Sequence, residues 1–299
     1  MISYAVIDFI QYTADGVLKG MLYALIALAF IVIYRAGRIL NFAQGEIVVL
    51  GGYFVLTFCS LVALPLWLSL PLAFLGVAAV GIIIERGIFR PLIGQELFSI
   101  VMVTIGLMIL LQGLIIVIWG GMERPFPAIF GLDPIHIGPF LFTRSIFIGG
   151  IIALLAIALL FFLFERTRWG LKLSAVAEEH QIAQSLGISV KRSVAIGWII
   201  SCVLSTIAAI VFLNGQSINF AASGIGLKAL PVALLAGLES IWGAPVAGLI
   251  VGIGEAWAAA YLDPYTGGAM SRAFPYILML VILLIRPQGL FGWKIIERV

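Results

Sequence analysis

Charge is scarce in this sequence. Lys and Arg number 17 and Asp and Glu 14 among 299 residues, so only 10% of the chain is charged. Soluble domains carry about 25%. So few charges cannot coat a globule of this length, which excludes a water-soluble fold. Disorder is excluded as well, because it needs low hydrophobicity and high charge. The net charge of +3 comes from scattered residues, which leaves no clustered basic face for nucleic acid. Cysteine and histidine are equally sparse, with two of each. Cys59 and Cys202 lie far apart in apolar runs and outside any CxxC, so they read as small buried hydrophobes. His136 reads as an exposed loop residue and His180 as an exposed helix residue. Two histidines alone do not make a zinc site, and no metal is expected. No G-x-x-x-x-G-K-[ST] occurs, so the chain does not bind ATP through a P-loop. H-E-x-x-H and G-x-S-x-G are missing too. Gly224-Ile-Gly226 lacks the third glycine of a dinucleotide turn. With no activated nucleophile or acid–base pair, the chain is not expected to be an enzyme. Passage of a solute, or structural support, remains.

What fills the sequence is apolar. Hydrophobic residues make up 63% of it, and the mean hydropathy is +1.20. A bilayer core about 30 Å thick takes about 20 residues of helix. Spans are expected at 17–34, 45–64, 66–84, 97–119, 146–164, 194–213 and 274–285. Residues 225–261 are apolar but interrupted by Pro231, Gly237, Glu239, Gly243 and Pro245. They read as two helices, 226–238 and 244–261, the first too short to span comfortably. A re-entrant path is allowed there only where protein surrounds the broken backbone. The expected fold is all-α and polytopic, with about eight membrane-embedded helical segments in one transmembrane domain, residues 1–299. Residues 2–12 read as a short interfacial helix. No secretory leader is expected, because Asp8 and Asp15 precede the first basic residue, Lys19. Lys and Arg sort twelve to five between the two sides. Lys19, Arg124, Arg144, Lys228 and Arg272 form the smaller set. By the positive-inside rule the N-terminus is outside and the C-terminus cytoplasmic.

Four constellations carry chemistry. Between the first two spans, Asn41 can cap the second helix, and Glu46 in its first turn is favoured by the helix dipole. Asn41, Gln44 and Glu46 either form a capped turn or fold inward to border a pathway. Glu255 lies near mid-membrane, where a carboxyl needs a partner or a proton. It gates or pairs helices, or it is a neutral structural group. Ala244, Gly248, Gly252, Ala256 and Ala260 recur every four residues and form a small face for close helix packing. Finally, the inner loop 165–192 places Leu171, Ala175, Ile182 and Leu186 near a helical period, and Gly187 suits a helix end. Its polar face holds Glu178, Glu179, His180 and Gln184. Basic anchors are expected on a lipid-lying helix, so this acidic face favours a protein partner.

Taken together, these segments resemble the permease subunits of bacterial high-affinity branched-chain amino-acid ABC importers. The resemblance rests on Tyr23-Ala-Leu-Ile-Ala-Leu, Ile33-Tyr34-Arg35, Leu40-Asn-Phe-Ala-Gln-Gly-Glu46, the loop around Glu179 and Leu186-Gly-Ile188, Leu234-Leu-Ala-Gly237 to Gly248, and Leu284-Ile-Arg-Pro-Gln-Gly-Leu-Phe291. It implies a permease in the bacterial inner membrane that works with a second permease subunit, two cytoplasmic ATPases and an external substrate-binding protein. ATP would be held by those partners, and no cofactor by this chain. It also implies that Glu178, Glu179, Ala183 and Gly187 belong to the segment that docks on an ATPase. Gln44 stands where many relatives have His, and Ser174 where many have Arg. An ion-coupled secondary transporter is the second reading, because broken helices and a buried Glu255 would suit that class too.

Overall fold

The computed structural model describes residues 2–178 and 180–292, apart from the side chains at 2–5, 169, 177, 178, 180–182, 220 and 221. Helices dominate: α1 (Ile2–Gly37), α2 (Gln44–Leu56), α3 (Leu66–Ile84), α4 (Leu97–Trp119), α5 (Arg144–Arg166), α6 (Arg168–Glu178), α7 (His180–Ser185), α8 (Val190–Phe212), α9 (Gly224–Ala236), α10 (Gly243–Trp257), α11 (Asp263–Thr266) and α12 (Met270–Ile285). Short π turns extend α2, α3 and α10 at Thr57–Leu61, Glu85–Phe89 and Ala258–Leu262. Seven of the described helical stretches are long and apolar enough to cross a bilayer, while α9 and α12 are shorter apolar helices. This is the all-α polytopic architecture that the hydropathy pattern predicts. Strands β1 (Arg124–Pro125) and β4 (Ser217–Ile218) pair antiparallel, and β2 (Ile135–Ile137) and β3 (Phe140–Phe142) form a hairpin.

Helix α1 is the centre of the bundle. It packs against α10, α8, α5 and α9, and every residue from Leu22 to Ile33 is buried. A helix that is apolar all round needs such surroundings. Helices α3, α4 and α5 show far more apolar surface to the outside, as lipid-facing helices do. Residues 2–12 are not a separate interfacial helix. They are the first turns of α1, held by Gln11, whose Nε2 donates to Asp15 Oδ2 at 3.1 Å and to the Leu141 carbonyl at 2.7 Å.

Two helices begin inside the bundle rather than at its surface. The Gln44 side chain, at the start of α2, reaches Ser201 and Ser205 in the middle of α8. A Cβ at Gly226, in the first turn of α9, would lie 2.3 Å from Gly45 Cα. The N-termini of α2 and α9 therefore meet halfway along α8. Protein encloses the backbone there, which is the condition for irregular structure at membrane depth.

The course of α9 and α10 follows from their ends. Glu239, after α9, pairs with Arg38 just past the end of α1. Trp257, at the end of α10, donates through Nε1 to Thr13 Oγ1 near the start of α1, at 3.0 Å. Residues 217–218 are tied to β1 at that second end. The chain thus runs to the Arg38 end through α9 and back through α10. The interrupted region therefore runs out and back, its first limb a half-length helix preceded by a 3-10 turn at Phe220–Ser223.

Candidate transport cavity and inner loop

The polar turn before α2 folds inward. Asn41 and Gln44 are fully buried and hydrogen-bonded. The Gln44 amide donates through Nε2 to Ser201 Oγ at 3.0 Å and Ser205 Oγ at 2.5 Å, and its Oε1 accepts from Asn41 Nδ2 at 3.1 Å. Asn41 is not the helix cap. Residue Ala43 occupies that position, without a side-chain cap. Asn41 Oδ1 instead accepts from the Ala43 amide two residues on, at 3.1 Å. The reason is geometric: the chain is still climbing from the end of α1 toward mid-bundle, so the helix starts later. Glu46 is also buried. Its Oε1 accepts from Gln112 Nε2 of α4 at 2.8 Å, and its Oε2 has no hydrogen bond.

Glu255 has a partner that the sequence pattern did not indicate. Lys228 Nζ, on α9, donates to Glu255 Oε1 at 3.0 Å. Lys228 is therefore not a loop cation, as the side-by-side count treats it; it sits inside the bundle. Glu255 Oε2 is buried without a hydrogen bond, and the Tyr23 ring of α1 stands beside this carboxylate. Next to the pair opens a cavity of about 510 Å³, lined by Tyr23, Phe212, Ile225, Lys228, Arg272 and Tyr276 among others. Tyr23 and Phe212 stack at 5.9 Å between ring centroids. Arg272 lies in the first turn of α12 and Phe212 ends α8, so the cavity faces the end of the bundle opposite Arg38.

At the Arg38 end lies the inner loop. The reading of its apolar face needs correcting. Leu173, Val176 and Ala183 are buried against the rest of the chain, whereas Leu171 and Leu186 are about 70% exposed. The buried side is carried by Leu173, Val176 and Ala183, which keep a helical spacing but a different face from Leu171 and Leu186. The side chains of Glu178 and His180 and all of Glu179 lie outside the described residues. Gly187 does end α7, with φ +77°. Its amide bonds the Gln184 carbonyl at 3.0 Å, and the Ile188 amide bonds the Ala183 carbonyl at 2.9 Å, the paired bonds of a Schellman end. Arg35 ties this loop to the core. Its Nη2 donates to Ser174 Oγ on α6 at 2.5 Å, and its guanidinium lies 5.1 Å from the Phe164 ring centroid.

The family sequence model described as "Branched-chain amino acid transport system / permease component" matches residues 12–283. This chain belongs to that family. Among similar proteins is LivH of Salmonella typhimurium, a high-affinity branched-chain amino acid transport system permease protein; it is 30% identical over 97% of this chain and 98% of its own length. BraD of Pseudomonas aeruginosa, of the same description, is 29% identical over 97% and 98%. A probable LivH of Methanocaldococcus jannaschii is 29% identical over 95% and 93%. The solved structure of PsaBC from Streptococcus pneumoniae in complex with Fab superposes with a TM-score of 0.51 over 96% of this chain and 97% of that one, at 14% identity. That likeness shows a shared fold.

In this branched-chain amino-acid permease the stripe of small residues on α10 packs within the chain. A Cβ on Gly248 would lie 2.4 Å from Gly20 O and 2.8 Å from Ala24 Cβ. One on Gly252 would lie 2.4 Å from Gly16 O and from Gly20 Cα. Gly16, Gly20 and Ala24 thus form a matching stripe on α1, at the same four-residue spacing. Ala244 and Ala256 are buried with them, while Ala260 falls in the π turn after α10 and is only half-buried. The α1 stripe, Lys228 and the Arg35–Ser174 contact were not singled out from sequence. A search for a second four-residue repeat would have found the first of them. No sequence signal marks the other two, because each joins residues far apart in the chain.

Proposed function

We propose that this chain is the membrane-spanning permease of an ATP-driven importer for branched-chain or related small amino acids. The match that runs from residue 12 to 283, through both the bundle and the inner loop, carries this reading. The permease works beside a second permease subunit in the bacterial cytoplasmic membrane, with the N-terminus outside and the C-terminus inside. An external binding protein delivers solute to the cavity end. Two ATPases dock at the Arg38 end on the segment that contains Glu178, Glu179, Ala183 and Gly187. Exposed Leu171 and Leu186 give that segment apolar surface to bury. ATP is bound and hydrolysed by those subunits. Their closure moves the inner loop, and the Arg35–Ser174 contact passes that movement to α1. For this to drive transport, the loop must contact the ATPase differently in its two states.

The test is reconstitution. The assembly with both ATPases and the binding protein should accumulate leucine in proteoliposomes only when ATP is enclosed with the ATPases. This chain on its own should accumulate none under a proton or sodium gradient. Gradient-driven uptake by the isolated chain would overturn the reading in favour of a secondary transporter.

A further inference from the structure

The cavity beside Lys228 is built more specifically than an unselective passage requires. Its volume of about 510 Å³ lies within the range of about 300–1,000 Å³ common to small-molecule sites. Two cations line it. Lys228 is paired with Glu255, while Arg272 forms no salt bridge among the described residues. Asp263, the nearby acid, is instead taken up by the Ser271 amide at 2.9 Å. The remaining wall is mostly apolar, from Phe212, Ile225, Leu227 and Tyr276. Behind Lys228, Glu255 Oε2 is buried, with the Tyr23 hydroxyl as its neutral polar neighbour. A buried carboxylate keeps lone pairs that can accept from a cationic N–H.

We infer that this cavity is the permease's own amino-acid site, where a zwitterion inserts into the Lys228–Glu255 pair. The ligand's carboxylate takes Lys228 and Arg272, its ammonium takes Glu255, and its apolar side chain rests on Phe212 and Tyr276. This inference rests on the amino-acid reading above and adds the site and the recognition chemistry. Empty, the pair neutralises itself, as charges inside a membrane bundle must. Loaded, one internal ion pair gives way to three ligand ion pairs, with no change in net charge. The internal pair competes with the ligand, so affinity is held down, as suits a site that must release its load. A ligand with only one of the two charges satisfies only half of the pair. A cationic side chain adds a third positive group to Lys228 and Arg272.

The experiment uses the complete assembly in nanodiscs, without the binding protein, with radiolabelled leucine followed by equilibrium dialysis. Leucine should bind saturably. Leucinamide, which lacks the carboxylate, 4-methylpentanoate, which lacks the ammonium, and lysine should compete poorly. Arg272→Gln removes an exposed side chain that makes no salt bridge among the described residues, and should weaken leucine binding about tenfold, the scale of one charge-assisted hydrogen bond. Glu255→Gln frees Lys228 and removes the ammonium's partner. It should reverse the preference, so that 4-methylpentanoate binds better than leucine; a purely structural carboxyl would not cause that reversal. If Glu255→Gln fails to assemble, Arg272→Gln alone decides. Unchanged leucine affinity in Arg272→Gln, or no saturable leucine binding in an assembly that does take leucine up, would overturn the site and leave the importer reading intact. Failure of the wild-type assembly to take up any amino acid would strike that reading instead.

Discussion

Replacing Gly252 with alanine adds one methyl group where α1 and α10 meet backbone to backbone. The new Cβ would lie 2.4 Å from Gly16 O and Gly20 Cα and 2.5 Å from Gly20 N, against 3.4 Å for ordinary contact. All three neighbours are backbone atoms, so no rotamer change relieves the overlap. Helices α1 and α10 must part by about 1 Å, and the Gly20–Gly248 approach loosens with them. In lipid no hydrophobic force pushes them back together. Overpacking of this kind costs about 1–3 kcal/mol, and alanine in place of a helical glycine returns about 0.5–1 kcal/mol. A net loss of about 1–2 kcal/mol shifts the folded-to-unfolded ratio by a factor of about 5–30. Thermal unfolding of the purified protein in detergent measures it. Gly106→Ala and Gly113→Ala on α4 are the controls, because a Cβ at either meets nothing within 4 Å. Gly252→Ala should unfold at a lower temperature than the wild type, and the two controls should not. Equal midpoints for all three variants would refute the claim that glycine contact sets the α1–α10 spacing.

Gly187→Val puts a β-branched residue at φ +77°, which costs about 1–2 kcal/mol, and the strain stays local because a Cβ there touches nothing. The assembly should form normally and hydrolyse ATP while ATP-driven uptake falls; unchanged uptake per ATP would sink the assignment of this segment to coupling. Gln44→Leu leaves the Ser201 and Ser205 hydroxyls and the Asn41 amide without their shared partner. Each buried orphan costs about 1–3 kcal/mol, so a clear drop in thermal midpoint is expected in the same detergent assay, and an unshifted midpoint would show that the network adds nothing to stability.

Uniform apolar runs were the most legible part of the fold. The spans read at 66–84 and 97–119 coincide with α3 and α4 end for end, because nothing polar blurs their limits. Legibility fell where polar residues are satisfied from a distance. Residues 2–12 read as interfacial, yet Gln11 bonds Asp15 and the Leu141 backbone, and α1 simply continues. Asn41 has the chemistry of a cap but serves a turn that ends on the cap residue, Ala43. At the candidate cavity, Glu255 was conspicuous as a charge in an apolar run. Lys228 was not, since a lysine near a predicted helix end looks like an ordinary flanking cation. What joins them is the packing of α9 against α10, a tertiary fact with no local trace. The inner loop shows the same limit: its buried face runs through Leu173, Val176 and Ala183, and the leucines at 171 and 186 point away from it.

Tyr23 and Arg35 sit on the same unbroken α1, twelve residues apart, which is about 18 Å of helix. One touches the chamber where solute would rest, and the other grips the segment that would feel the motor. No proline interrupts the stretch between them, and its flanks are packed on every side. A rod so encased has no hinge in which to absorb a tug. Strain applied at its foot must surface at the chamber wall as tilt or slide, making the central helix the stiff lever between fuel and cargo.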